Sequence, residues 1–141
     1  MIAAVLVGSV MIFLQMGLAA LLFGFATRLM GRIDRTRLRR HPQRPVIEVG
    51  IALGWIIAVL TVSIWSWAGV YLLLGLFDGV EPALYFAIVS FTTVGYGDIV
   101  LEQDWRLLSG MTATSGLLVF GLFTAFLVEI LDLRGRSERW H

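Results

Sequence analysis

The sequence predicts an all-α membrane protein with three membrane-crossing helices per chain and a fourth, shorter helix that enters the bilayer without crossing it. Two observations predict this. The composition is that of a lipid-embedded chain: 58% hydrophobic and 15% charged over 141 residues, with a mean hydropathy of +0.85. The apolar residues also gather into three runs, 2–27, 46–77 and 105–133. Each exceeds the roughly 20 helical residues that a bilayer core requires. A shorter apolar run, 82–92, lies between the last two and makes only about three turns.

The first run, 2–27, has Gln15 as its one strongly polar member. A signal peptide is the competing reading. No positive residue precedes the run, it outlasts a usual signal core, and arginines follow it, so it reads as a retained N-terminal transmembrane helix. Gly8, Gly17 and Gly24 are small enough to let another helix approach closely.

Residues 28–45 form a basic loop, expected on the cytoplasmic side. All eleven basic residues of the chain are arginine, and Arg28, Arg32, Arg35, Arg37, Arg39, Arg40 and Arg44 fall here. Irregular spacing and the closing Pro42 and Pro45 do not suit a voltage sensor, which needs arginines at regular helical spacing inside a span. Nucleic acid is not the expected partner. The segment reads as an orientation signal beside anionic lipid headgroups.

The second run, 46–77, reads as the next transmembrane helix. At ~1.5 Å per residue it would be ~48 Å long, so it should tilt or pass the interface. Trp65, Trp67 and Tyr71 read as an aromatic belt near its outer end. Asp78 to Glu81 form a turn, and Pro82 suits the start of the short helix 82–92. Such a helix is tolerated at membrane depth when protein surrounds it, and its C-terminal end carries partial negative charge.

The third run, 105–133, reads as the last span, followed by a short tail, 134–141, with Arg134, Arg136 and Arg139. Helical spacing sets Thr114, Leu118, Gly121, Ala125 and Glu129 on one face. Gly116 and Gly121 interrupt this run and are small enough for close packing against a neighbouring helix. Glu129 is a candidate inner-mouth carboxylate, with pairing to nearby arginines as the alternative.

The chemistry is concentrated in Thr92-Thr93-Val94-Gly95-Tyr96-Gly97-Asp98, directly after the short helix. A dehydrated monovalent cation must exchange its water shell for oxygens, and backbone carbonyls hold it without trapping it. Turning successive carbonyls to one side requires left-handed backbone values, which Gly95 and Gly97 accept. Asp98 at the outer mouth would raise the local cation concentration.

This stretch resembles the selectivity filter of the potassium-channel superfamily. The order of apolar helix, short helix, filter and apolar helix over 46–133 is similar to that family's small pore module, with an extra N-terminal helix. The resemblance implies a filter at 93–97, with carbonyls of Thr93, Val94, Gly95 and Tyr96 as potassium sites and Asp98 at the mouth. It implies a homotetramer, since one strand cannot encircle an ion, and potassium as the permeant ion with no organic cofactor. It makes 46–77 the outer helix and 105–133 the inner helix, gives Gly116 or Gly121 as a gating hinge with close packing as the alternative, and makes Tyr85 and Phe86 the aromatic pair that packs on the filter tyrosine. Phe86 lacks a polar hydrogen, so a bond made by tryptophan there in relatives would be missing.

The expected function is a potassium-selective channel. A weakly selective cation channel is the alternative, and a non-conducting scaffold or regulatory subunit is a third. The intact Val94-Gly95-Tyr96-Gly97 favours the first. An enzyme is not expected: no nucleophile–base pair is evident, and His41 and His141 lack metal-ligand company. With no cysteine, disulfides and cysteine–zinc sites are excluded. The positive-inside rule sets the N-terminus outside and the C-terminus in the cytoplasm, in a multi-pass protein of the cell membrane. Asp78, Glu81, Asp98, Glu102 and Asp104 then make an acidic outer face.

Overall fold

A computed structural model describes the backbone of residues 1–36 and 44–138, and the side chains of 1–24 and 50–128. Four helices follow in order: α1 (Ile2–Thr36), α2 (Arg44–Leu73), α3 (Val80–Phe91) and α4 (Arg106–Glu138). No strand occurs among the described residues. Three segments are long and apolar enough to cross a membrane, Ile2–Gly24, Gly50–Leu73 and Arg106–Val128, while α3 is not. The chain is therefore an all-α, multi-pass membrane protein.

The helix ends differ from the apolar limits in instructive ways. The basic segment 28–45 is not wholly a loop, because α1 continues through Thr36. Loss of hydrophobicity ends a span but not a helix, and arginine, leucine and methionine are good helix formers. For the same reason α4 runs on from 133 to Glu138. At its outer end α2 stops at Leu73, short of 77. Gly75 takes φ +67° there, Leu76 N–H donates to Tyr71 at 3.0 Å, and Gly75 N–H donates to Leu72 at 3.0 Å. This paired closure caps the helix and requires a residue that accepts a left-handed backbone.

Helix α3 begins at Val80, so Pro82 lies third in the helix instead of first. It is still within the first turn, where an N–H would have no helical partner. Glu81 in that turn complements the helix dipole.

The core sits where α2, α3 and α4 meet. Trp67 and Tyr71, read from sequence as belt residues, are completely buried, whereas Trp65 is 51% exposed. Residues 67 and 71 are one turn apart and share the inward face of α2, and 65 falls on another face. Tyr71 packs edge-on to Phe86 of α3 with ring centroids 5.2 Å apart, and Phe77 lies 5.4 Å from Phe86. These ring contacts fix α3 against α2, each contributing about 0.5–1.5 kcal/mol beyond area burial.

Tyr71 also shares a 2.6 Å hydrogen bond with Thr112 of α4, whose hydroxyl lies 2.9 Å from the Leu108 carbonyl. Tyr71→Phe leaves Thr112 that carbonyl as a partner. The expected cost is only about 0.5–1 kcal/mol, because such intramembrane bonds are individually modest. Thermal unfolding in detergent should show a fall of a few degrees and no more.

Helix α1 lies against α4 and α2 of its own chain. Gly8 meets Met111, Gln15 meets Ser115, and Phe23 meets Phe126 at 3.9 Å between centroids. Both sets of contacts ascend together, so α1 and α4 run parallel. Against α2 the order reverses: Gln15 reaches Ser63 and Trp55 donates to the Leu22 carbonyl at 3.2 Å. Of the three glycines proposed for close packing, Gly8 fills the role, since an added Cβ would lie 2.3 Å from Met111 Sδ. Gly17 and Gly24 have open space around the Cβ position.

Candidate functional site

The site is the segment between α3 and α4, and α3 sets its path. Thr92 N–H donates to Ile88 at 3.0 Å, Thr93 N–H to Ser90 at 3.0 Å, and Gly95 N–H to Val89 at 3.2 Å. The Thr92 hydroxyl adds a 2.7 Å bond to the Ile88 carbonyl. These donors are main-chain groups turned back onto the short helix. No peptide bond of the described chain is cis. In a planar trans peptide the carbonyl points opposite to the N–H of the next residue. The carbonyls of Thr92 and Val94 therefore point away from α3.

The backbone then alternates in hand. Thr93, Gly95 and Gly97 have φ of +62°, +54° and +76°, and Val94 and Tyr96 do not share the positive sign. In an ordinary strand successive carbonyls point to opposite sides. Reversing the hand at every second residue turns them toward one side. The two glycines were legible in the sequence as residues suited to this. Thr93 was not: a β-branched residue at positive φ is a backbone outlier that costs on the order of 1–3 kcal/mol. Its own N–H bond to Ser90 and the anchored N–H groups of Thr92 before it and Gly95 beyond it hold it there.

The segment lies on the surface of the single chain. Val94 is 52% and Tyr96 73% exposed. Asp98 accepts a 2.5 Å hydrogen bond from the Tyr85 phenol. The sequence reading expected no hydrogen bond from the aromatic pair at Phe86, and the structure supplies one from its neighbour. Tyr85 reaches past the glycines to the C-terminal end of the segment, while Phe86 turns inward onto Tyr71 and Phe77. A cavity of about 180 Å³ lies between this C-terminal half and α4, with Arg106 and Ser109 among its lining. The Tyr85–Asp98 bond thus holds the C-terminal half beside that cavity.

The same bond is the main reason that the Asp98 carboxyl is held below the usual carboxylate range. A depressed carboxylate makes its stabilising contribution above its unfolded pKa and loses it as pH falls through the lower folded value. The bond should therefore persist at neutral and mildly acidic pH and fail only below the ordinary aspartate range. Tyr85→Phe removes the largest cause. The acid limb of any Asp98-dependent activity should shift to higher pH in that variant, as a pH titration of ion flux would show.

The two glycines proposed as hinges prove unlike. Gly116 is buried, and a Cβ there would lie 1.8 Å from the Phe91 carbonyl oxygen and 2.9 Å from its carbon. It is the point at which α4 touches the end of α3. Gly121 has no atom within 4 Å of its Cβ position and is exposed. Thr114, Leu118, Gly121 and Ala125 are all exposed within the chain. The exposed arc is wider than that row and includes Leu117, Phe120, Thr124 and Val128. Glu129 belongs to α4, but its side chain lies outside the described residues. Asp78, Glu81, Asp98, Glu102 and Asp104 are exposed.

Two long helices enclosing a short one, with an anchored backbone segment of alternating hand at its tip, define the pore unit of a membrane channel. A family model described as an ion channel matches residues 51–132, more than half of the chain, and the chain belongs to that family as a small potassium-channel-like module. The matched span takes in α3, the segment and most of α2 and α4, and leaves α1 outside. No curated protein and no solved structure matches the chain.

Proposed function

We propose that the chain is the subunit of a homotetrameric potassium-selective channel, which conducts potassium passively through a filter of Thr93, Val94, Gly95, Tyr96 and Gly97. The observation that carries this reading is the alternation of backbone hand at Thr93, Gly95 and Gly97, with the N–H groups of Thr92, Thr93 and Gly95 tied back to α3. Carbonyls released on one side suit an ion that has lost its water, and dipoles bind it weakly enough for it to move on. Asp98, ionised and held by Tyr85, marks the outer mouth and favours cations.

One such segment offers oxygens from a single direction. Four copies about an axis complete the shell, and the exposure of Val94 and Tyr96 in the lone chain supports neighbours that cover them. Because α1 and α4 run parallel, Arg28, Arg32 and Arg35 of α1 and Arg134 and Arg136 of α4 belong to the same end of the two helices. That end is the cytoplasmic one under the positive-inside rule, in contact with anionic lipid, and the acidic loops face outward. The cell membrane is the proposed location. The non-conducting reading drew on an absent pore-helix bond and on the extra N-terminal helix; Tyr85, beside Phe86, makes a bond to Asp98 that bears on the first.

The test is flux through purified protein in liposomes. Potassium and rubidium should pass and sodium should be largely refused. Equal sodium flux would replace this reading with the weakly selective channel. No flux at any pH or voltage would replace it with the scaffold.

A further inference from the structure

Helix α1 lies outside the matched channel family, yet it carries the most polar buried residue of the described chain. Gln15 is 3% exposed at mid-span. Its amide nitrogen donates to the Ser63 carbonyl at 3.1 Å and to Ser66 Oγ at 2.9 Å, both on α2. Its oxygen accepts from the Ser115 hydroxyl on α4. Trp67 Nε1 of α2 also donates toward that Ser115 oxygen, at 3.4 Å. One side chain thus closes a hydrogen-bonded ring through three helices, in a setting without competing water.

The place of the ring is what gives it meaning. Ser115 immediately precedes Gly116, where α4 touches the Phe91 carbonyl at the end of α3. Phe91 in turn precedes Thr92 and Thr93, whose N–H groups start the filter path. The contacts on either side keep the register. Gly8 seats on Met111 and Phe23 on Phe126, and the same number of residues separates the members of each helix. Helix α1 is therefore held at three heights along α4, and the side-chain hydrogen bond among these contacts, Gln15 to Ser115, lies beside the Gly116–Phe91 approach.

We propose that Gln15 is a positioning residue for conduction: through Ser115 it holds α4 against the tip of α3, so that α1 sets the balance between conducting and non-conducting arrangements of the inner helix. The proposal rests on the channel reading above and adds a role for α1, which that reading does not need. Moving α4 away from Phe91 requires parting Ser115 from Gln15 or dragging α1 along. Coupling of this kind demands an element with two arrangements that both sites bias. Here the element is α4 about Gly116.

The test compares wild type with Gln15→Met, which keeps length and bulk and loses the three bonds, and with Ser115→Ala, a near-silent change in packing. Single-channel recording in planar bilayers should show the open-to-closed ratio changed in the same direction by both, about threefold to twentyfold, the range that intramembrane hydrogen bonds span. The double variant should go no further than the larger single change. Gln15→Glu, which can accept from Ser115, should restore part of the wild-type ratio.

A ratio unchanged in both single variants, with only tetramer stability lowered, would overturn the proposal, as would fully additive effects. Because the chain has no cysteine, a spin label at Val128→Cys gives a readout independent of conduction. Its mobility should shift with Gln15→Met. If wild type carries no current but the label shifts, the channel reading falls and the hold of α1 on α4 stands. If wild type conducts and neither ratio nor label responds, only the positioning role falls.

Discussion

Gly116→Ala should be the most damaging single methyl that can be added to this chain. The new carbon would sit 1.8 Å from the Phe91 carbonyl oxygen. That oxygen is main chain, fixed by α3, which is itself fixed by Phe86 against Tyr71 and Phe77. A flexible side chain could step aside, but here either α4 must retreat or the tip of α3 must move. Overpacking a core usually costs about 1–3 kcal/mol, and an unyielding backbone neighbour puts this site at or above the upper end. The cost recurs in every copy of an assembly. The tetramer proposed above should be lost from size-exclusion profiles, and the thermal transition should drop by many degrees. Gly121→Ala provides the contrast. Open space surrounds that position, and alanine favours the helix by up to about 1 kcal/mol over glycine. Stability should be unchanged or slightly raised. Equal behaviour of the two variants would contradict the close α3–α4 contact.

Gly95→Ala should abolish selective conduction while leaving the helices folded. Gly95 has φ +54°, with its N–H bonded to Val89. An L-residue in this region costs about 1–2 kcal/mol. There is room for the methyl, so the penalty is conformational and local. Four copies surrounding one ion path would together bear about 4–8 kcal/mol. The chain can shed that strain by returning residue 95 to negative φ, which turns a carbonyl out of line. Circular dichroism and thermal unfolding should change little, whereas potassium flux should fall at least a hundredfold, each 1.4 kcal/mol being tenfold. Wild-type flux in the variant would show that the alternation of hand is not what passes the ion.

Much of the fold was legible because hydrophobic length is a strong signal. The three spans and the short helix follow from runs of apolar residues broken by arginines, by Asp78-Gly79 and by the glycine-rich segment. What hydropathy reports is the solvent, not the helix. It therefore missed the continuation of α1 to Thr36, where the chain stays helical without staying apolar. It also ran past Gly75, where the chain stops being helical while Leu74, Leu76 and Phe77 remain apolar. The glycine after a leucine run was the available sign.

The site shows the same division. Its glycines declared a left-handed backbone, but nothing in a threonine announces φ +62°. Trp67 and Tyr71 read as interface residues because composition cannot say which face of α2 meets α3 and α4. Gln15 stood out as a polar residue in an apolar run, but its partners lie far along the chain at Ser63, Ser66 and Ser115. Only folding brings them together.

The reversal potential of purified wild-type channels in a planar bilayer, with potassium on one side and sodium at equal concentration on the other, addresses the filter most directly. If alternating main-chain oxygens from several copies form the ion path, the current should reverse far from zero, with the potassium compartment negative, and Gly95→Ala should remove that displacement. A reversal near zero, with sodium carried as readily as potassium, would contradict the account.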